Sequence, residues 1–146
     1  MVDKKLNYGR HIIEDFAKQV KNYDSVLDIG AGSGDDLMIY KKICLSANLY
    51  ALEGYEPNIA TLKSKGIKVF QHNLEFDKFP FDDKSLDLIN ANQILEHTKE
   101  IFWIFHEVTR TLKVGGFFVL AVPNLASLHN RLLLAFGRQP TPIQND

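Results

Sequence analysis

The sequence predicts an α/β domain, a mostly parallel sheet covered by helices on both faces. Two observations carry this expectation. Short apolar runs that stop at glycine or at polar turns alternate with longer stretches of helical periodicity, the pattern of successive βαβ units. The chain has 146 residues, 45% hydrophobic and 24% charged, which fits one globular domain. A single domain over 1–146 is expected, made of an N-terminal helix (1–22), a core (23–124) and a terminal helix with its tail (125–146).

The elements follow in order. Residues 8–21 place Ile12, Ile13, Phe16, Ala17 and Val20 at helical spacing. Residues 25–29 are a short, mostly apolar run that stops at glycine, the mark of a buried parallel strand. Residues 34–44 read as a helix with Leu37, Met38, Tyr40 and Ile43 as its apolar members, and 49–52 as a second strand. Pro57 suits the first turn of a helix that runs to Lys65 and stops at Gly66. Strand three is 67–70, and 72–85 is a loop rich in Asp, Asn and Lys. Strand four is 86–89. Residues 98–112 form the clearest helix, with Ile101, Phe102, Ile104, Phe105, Val108 and Leu112 on one broad face. Gly115-Gly116 closes that unit, and 117–122 is strand five. Leu125, Leu128, Leu132, Leu133 and Phe136 predict a last amphipathic helix that ends at Gly137.

Composition excludes several classes. The formal charge is −1, so there is no basic footprint for nucleic acid or an anionic membrane surface. The single cysteine, Cys44, has no partner for an internal disulfide, and a cytoplasmic location is expected. No apolar run approaches the ~18 residues of a membrane span, and the first residues lack the apolar core of a signal peptide. The histidines show no metal-ligand spacing, so no metal is expected.

Ligands of parallel sheets bind beyond the carboxyl ends of the strands, so the residues after each strand matter most. Strand one runs into Asp28-Ile29-Gly30-Ala31-Gly32-Ser33-Gly34-Asp35. Glycines at alternate positions allow a tight turn and close approach of a ligand to the backbone, although a plain strand-to-helix turn would read the same. A dinucleotide loop needs a third glycine at position 35, where this chain has aspartate, and no Gly-Lys-Ser/Thr follows for a P-loop. Residues 26–35 resemble the nucleotide-binding loop of class I S-adenosylmethionine-dependent methyltransferases, in which an acidic residue precedes alternating glycines. Strand two ends in Leu52-Glu53-Gly54, where a carboxylate can accept from both ribose hydroxyls. After strand three, His72-Asn73-Leu74-Glu75 stands where the family usually has Gly-Asp-Ala-Glu. Phe79-Pro80-Phe81 with Leu86-Asp87-Leu88-Ile89, and Lys113-Val114-Gly115-Gly116, are similar to the family's stretches before strands four and five. The resemblance covers about 20–124.

The resemblance, to small-molecule members of the type 11 kind, implies a Rossmann-like three-layer sandwich with sheet order 3-2-1-4-5. It implies S-adenosylmethionine as cofactor and S-adenosylhomocysteine as product. Asp28, Gly30, Gly32 and Gly34 would hold the methionine end and Glu53 the ribose. Asn73 would accept from the adenine amino group and the Leu74 N–H would serve the ring. Ala31, Gly54 and Asn90 complete the expected cofactor set. Tyr8 and Arg10 stand where relatives reach the methionine carboxylate, or they merely begin a helix. Glu96-His97 looks like a pair that many small-molecule members carry after strand four. His97 is a candidate base for a hydroxyl acceptor, against the plainer role of organising its loop. The Asn/Asp-Pro-Pro-Tyr motif of enzymes that methylate base or glutamine amines is absent.

Only 22 residues follow Asn124, so the family's strands six and seven are expected to be missing, in a shortened product or a natural short form. A homodimer through strand five or the terminal helix is then expected. The leading expectation is a methyltransferase for a small-molecule acceptor. The alternative is a non-catalytic cofactor-binding or partner subunit, and a nicotinamide oxidoreductase is disfavoured by Asp35.

Overall fold

The computed structural model describes residues 9–140. The order is α1 (Arg10–Val20), β1 (Ser25–Ile29), α2 (Asp35–Ile43), β2 (Asn48–Glu53), α3 (Glu56–Ser64), β3 (Lys68–Gln71), β4 (Leu86–Asn92), α4 (Ile101–Thr111), β5 (Leu112–Ala121) and α5 (Leu128–Ala135). The five strands form one sheet ordered β3-β2-β1-β4-β5, and every neighbouring pair is parallel. The expected Rossmann-like layering is therefore present.

Side chains alternate across each strand, so each face of the sheet builds its own core. On one face Val26, Ala51 and Leu88 pack with Ala17 of α1, Leu37 of α2 and Leu62 of α3. On the other, Leu27, Ile29 and Ile89 pack with Phe79 and with Ile104 and Val108 of α4. Burial on both faces is why these strands read as nearly continuous apolar runs. Pro57 lies in the first turn of α3, and Gly66 follows its end at φ 74°.

Several elements differ from expectation. β4 continues through Asn92, because Asn90, Ala91 and Asn92 pair with Val119, Leu120 and Ala121 of β5. β5 starts at Leu112, directly off α4, and bulges between its pairings with Leu86 and Leu88. The turn after β4 holds a 3₁₀ segment, Leu95–His97. Phe102 is 94% exposed rather than in the core, because α4 turns Ile104, Val108 and Thr111 inward and position 102 lies about 200° around the helix from 104. Met38 is also exposed. α5 forms where expected, but Leu125 precedes it and Leu128, Leu132 and Phe136 are exposed. No helix among the described residues is long and apolar enough to cross a membrane.

Candidate functional site

At the carboxyl end of β1 the Gly30 N–H donates to the Leu52 carbonyl at 2.8 Å, the last tie before the chain leaves the sheet. Gly30 and Gly34 have φ of 68° and 81°, a left-handed conformation that costs a side-chain-bearing residue dearly. Space forbids one as well. A Cβ at Gly34 would lie 2.6 Å from Leu62 Cδ2, and one at Gly30 2.6 Å from Ile94 Cδ1. The turn after β4 thus closes over the glycine loop. α2 begins directly after it, with Asp35 and Asp36 in its first turn. These carboxylates complement the positive end of the helix and oppose a second anion there, which disfavours a pyrophosphate.

Glu53, at the tip of β2, is 8% exposed. Its Oε2 accepts from the Gly32 N–H at 2.8 Å and from Asn58 Nδ2 at 3.2 Å, and its Oε1 from the Tyr55 N–H at 2.8 Å. The carboxylate is therefore fixed against the glycine loop, with Gly54 beside it under the His72 carbonyl.

Asp28 is 3% exposed, and the β1–β4 register puts it opposite Asn90. Asn90 Nδ2 donates to Asp28 Oδ1 at 2.7 Å, and Tyr40 Oη donates to Asn90 Oδ1 at 3.2 Å. Beside this chain Asp36 accepts from Arg10 Nε at 2.6 Å and from Asn92 Nδ2 at 2.7 Å. Burial pushes the Asp28 carboxyl well above its usual range. Asp36 and Glu53 add to the rise, while the Asn90 hydrogen bond and Arg10 oppose it. Three carboxyl groups thus lie about one glycine loop, one of them, Asp36, already paired with Arg10.

The remaining sequence candidates lie as follows. Arg10 is the first residue of α1 and spans to Asp36, with Asp35 Oδ2 4.0 Å from its Nη2. Tyr8 lies outside the described residues. Asn73 follows β3 and shapes its own turn, since its Oδ1 accepts from the Glu75 N–H at 3.0 Å and its N–H donates to Asp77 Oδ2 at 2.9 Å. Leu74 sits in the same turn and packs on the α4-side core. The Glu75 carboxylate accepts from the Lys99 N–H, which staples the turn to the start of α4. His97 ends the 3₁₀ segment and is exposed. Ala31 is buried beneath the loop. Among the described residues no group of three His, Cys, Asp or Glu is placed to hold a metal.

Sequence reasoning missed Tyr40, Asp36, Asn58, Asn92 and Ile94. Two signals pointed that way. Asn90 and Asn92 alternate on one strand face, and an aspartate pair opens α2 where an apolar residue would otherwise pack.

Residues 27–120, more than half of the chain, match the methyltransferase domain family. An uncharacterized methyltransferase of Schizosaccharomyces pombe is 27% identical over 111 residues, covering 68% of this chain and 40% of that protein. A Mycobacterium tuberculosis protein named "Probable S-adenosylmethionine-dependent methyltransferase" is 28% identical over 116 residues, 78% of this chain and 38% of its own. This chain thus spans about 40% of the length of these curated relatives. The crystal structure of a SAM dependent methyltransferase from Archaeoglobus fulgidus covers 92% of this chain and 63% of its own at 20% identity, with a TM-score of 0.69, a likeness of fold. With the parallel sheet in the order that the glycine-loop motif implied, and the motif itself at the end of β1, the chain belongs to the methyltransferase domain family.

Proposed function

We propose that this domain transfers a methyl group from S-adenosylmethionine to a small-molecule acceptor. The supporting observation is the cradle of carboxyl groups in which Asp28, Asp36 and Glu53 lie about a glycine loop of left-handed residues. The cofactor carries an ammonium and a sulfonium, and it supplies an activated methyl group when bound. Asp28 accepts from the ammonium. The backbone of Gly30, Ala31, Gly32 and Gly34 would hold the methionine, with Arg10 toward its carboxylate; Tyr8, the other expected partner, lies outside the described residues. Glu53 accepts from the ribose hydroxyls with Gly54 beside it, and the turn of Asn73 and Leu74 receives the adenine. Asn90 holds Asp28 in place. Positioning supplies much of the catalysis, because an activated donor needs chiefly an aligned acceptor. Where that acceptor is a hydroxyl, His97, exposed on the turn after β4, is the candidate to take its proton, against the plainer role of organising that turn.

The test is calorimetry with S-adenosylmethionine, S-adenosylhomocysteine and NAD, followed by turnover on a panel of small acceptors. Binding of the first two but not NAD, with methylation of one acceptor, supports the reading. Preference for NAD overturns it, and binding without any turnover assigns a non-catalytic cofactor-binding subunit instead.

The proposal extends to association with a second copy. β5 is an edge of the sheet, and Leu128 and Leu132 of α5, with Phe136 directly after it, are exposed. A two-fold dimer covers these groups. Light scattering at micromolar concentration then reads twice the chain mass, falling to one in Leu132→Glu. A monomeric wild type sinks the dimer.

A further inference from the structure

Tyr40 is fully buried in the middle of α2, on the core face of a helix whose first turn belongs to the site. Its ring stacks edge-on against Tyr23 at 5.8 Å between centroids, as a packing tyrosine would. Its hydroxyl has a second connection. Tyr40 Oη lies 3.2 Å from Asn90 Oδ1, and Asn90 Nδ2 lies 2.7 Å from Asp28 Oδ1. All three residues are buried. No bulk water is available to replace a missing donor or acceptor here, so the direction of each bond is decided by its neighbours.

A buried amide beside a carboxylate has two orientations. With the nitrogen toward Asp28 it donates to the negative oxygen. With its oxygen there, two acceptors face each other. The phenol donates to the amide oxygen and so selects the first orientation. Burial raises the Tyr40 phenol far above its ordinary value, with Asp28 and Asp36 adding to the rise, so it stays a neutral donor at all working pH values.

We propose that Tyr40 is a positioning residue for cofactor binding: through Asn90 it holds the Asp28 carboxyl aligned for a cationic group at the glycine loop. The inference rests on the reading that S-adenosylmethionine binds there. The groups facing Asp28 are Asn90 of β4, Tyr40 and Asp36 of α2, Arg10 of α1 and Glu53 of β2. Asp36 and Glu53 oppose its ionisation, while Asn90 and Arg10 favour it. Removing the Tyr40 hydroxyl takes away the group that keeps the Asn90 donor in place.

The experiment is calorimetric titration of the full chain with S-adenosylhomocysteine from pH 5 to pH 9, on wild type, Tyr40→Phe and Tyr23→Phe. Tyr40→Phe keeps the ring and its contact with Tyr23. Its affinity should fall on the order of fivefold at pH 7, the effect of one hydrogen bond. The pH at which affinity is half lost on the acid side should move upward, because Asp28 then holds its proton more tightly. Tyr23→Phe is the matched control, since its hydroxyl donates to the Tyr40 backbone carbonyl at 2.9 Å and lies outside the chain to Asp28. It should lower the melting temperature and leave the acid midpoint in place. In an Asn90→Ser background, Tyr40→Phe should have no further effect on affinity.

Wild-type affinity and an unmoved midpoint in Tyr40→Phe would overturn the proposal and leave Tyr40 a packing residue. Should Tyr40→Phe not fold, Asn90→Ser alone breaks the same chain from its other end, and an unmoved midpoint there overturns the proposal equally. Failure of the wild type to bind S-adenosylhomocysteine at any pH is a different result, which rejects the cofactor reading itself.

Discussion

Glu53 Oε2 accepts the main-chain N–H of Gly32 at 2.8 Å, which ties the tip of β2 to the loop that follows β1. The bond fixes the carboxylate before any ligand arrives, so little ordering remains to be done on binding. Glu53→Ala removes both the proposed ribose acceptor and this tie. S-adenosylhomocysteine should bind about 1.5–3 kcal/mol more weakly, the scale of hydrogen bonds to a charged acceptor. Calorimetry reads the difference, and wild-type affinity would take Glu53 out of the site.

Asn73 holds a turn in which its Oδ1 receives the Glu75 N–H. An aspartate keeps that acceptor and restores the residue that the family usually carries, so Asn73→Asp should bind S-adenosylhomocysteine as well as wild type or better. Asn73→Leu loses the acceptor and should weaken binding. Equal affinity in both variants would show that this side chain does not read the base.

Asp28 links binding to stability through its pH dependence. Its folded-state pKa is raised above the unfolded value, first by burial and then by Asp36. Its contribution to stability is therefore complete below the unfolded pKa of about 3.9. That contribution is lost as pH rises through the folded value. Burial thus disfavours the charged form of this group, and a cationic ligand favours it. Asp28→Asn, which replaces a carboxyl whose charged form burial disfavours, should leave the ligand-free protein at least as stable as wild type in denaturant unfolding at pH 7. It should also lose at least tenfold in affinity for S-adenosylhomocysteine. A variant that is both less stable and normal in binding would contradict this account.

These relationships explain which parts could be read from sequence. The glycine loop and the end of β2 were legible because their signals are local. An apolar run halts at Gly30 or at Gly54, with the carboxylate adjacent or two residues before. Asn90 and Asn92 were not legible as strand residues. Asparagine disfavours strands, and only pairing with Val119 and Ala121, nearly 30 residues later, keeps them in the sheet. Tyr40 looked like an ordinary apolar member of α2 because its hydroxyl partner comes from β4. Phe102 misled for the opposite reason, since aromatic content near a helix start says nothing about which side meets the sheet.

The pair of Glu107 and Arg110 gives a prediction away from the glycine loop. Glu107 is 1% exposed, and both its oxygens meet Arg110, Oε2 to Nη2 at 2.6 Å and Oε1 to Nε at 2.9 Å. Arg110 also donates to the carbonyls of Phe79 and Phe81, which anchors the segment leading into β4. Removing the guanidinium leaves the buried Glu107 carboxylate with its hydrogen bond from the Phe79 N–H but without the guanidinium's countercharge. Arg110→Ala should therefore cost about 3–5 kcal/mol of stability at pH 7. The Arg110 hydrogen bonds hold the Glu107 carboxyl below its ordinary value. A depressed folded pKa contributes stability above the unfolded value near 4.3, and that contribution disappears as pH falls through the folded value. The gap between wild type and Arg110→Ala in denaturant unfolding should thus narrow as pH falls, beginning above the unfolded value, because burial without its partner raises the stranded carboxyl and it takes up a proton first. A gap that stays constant from pH 7 to pH 3 would mean that Arg110 acts by packing and by its bonds to the Phe79 and Phe81 carbonyls, with no part played by the charge of Glu107.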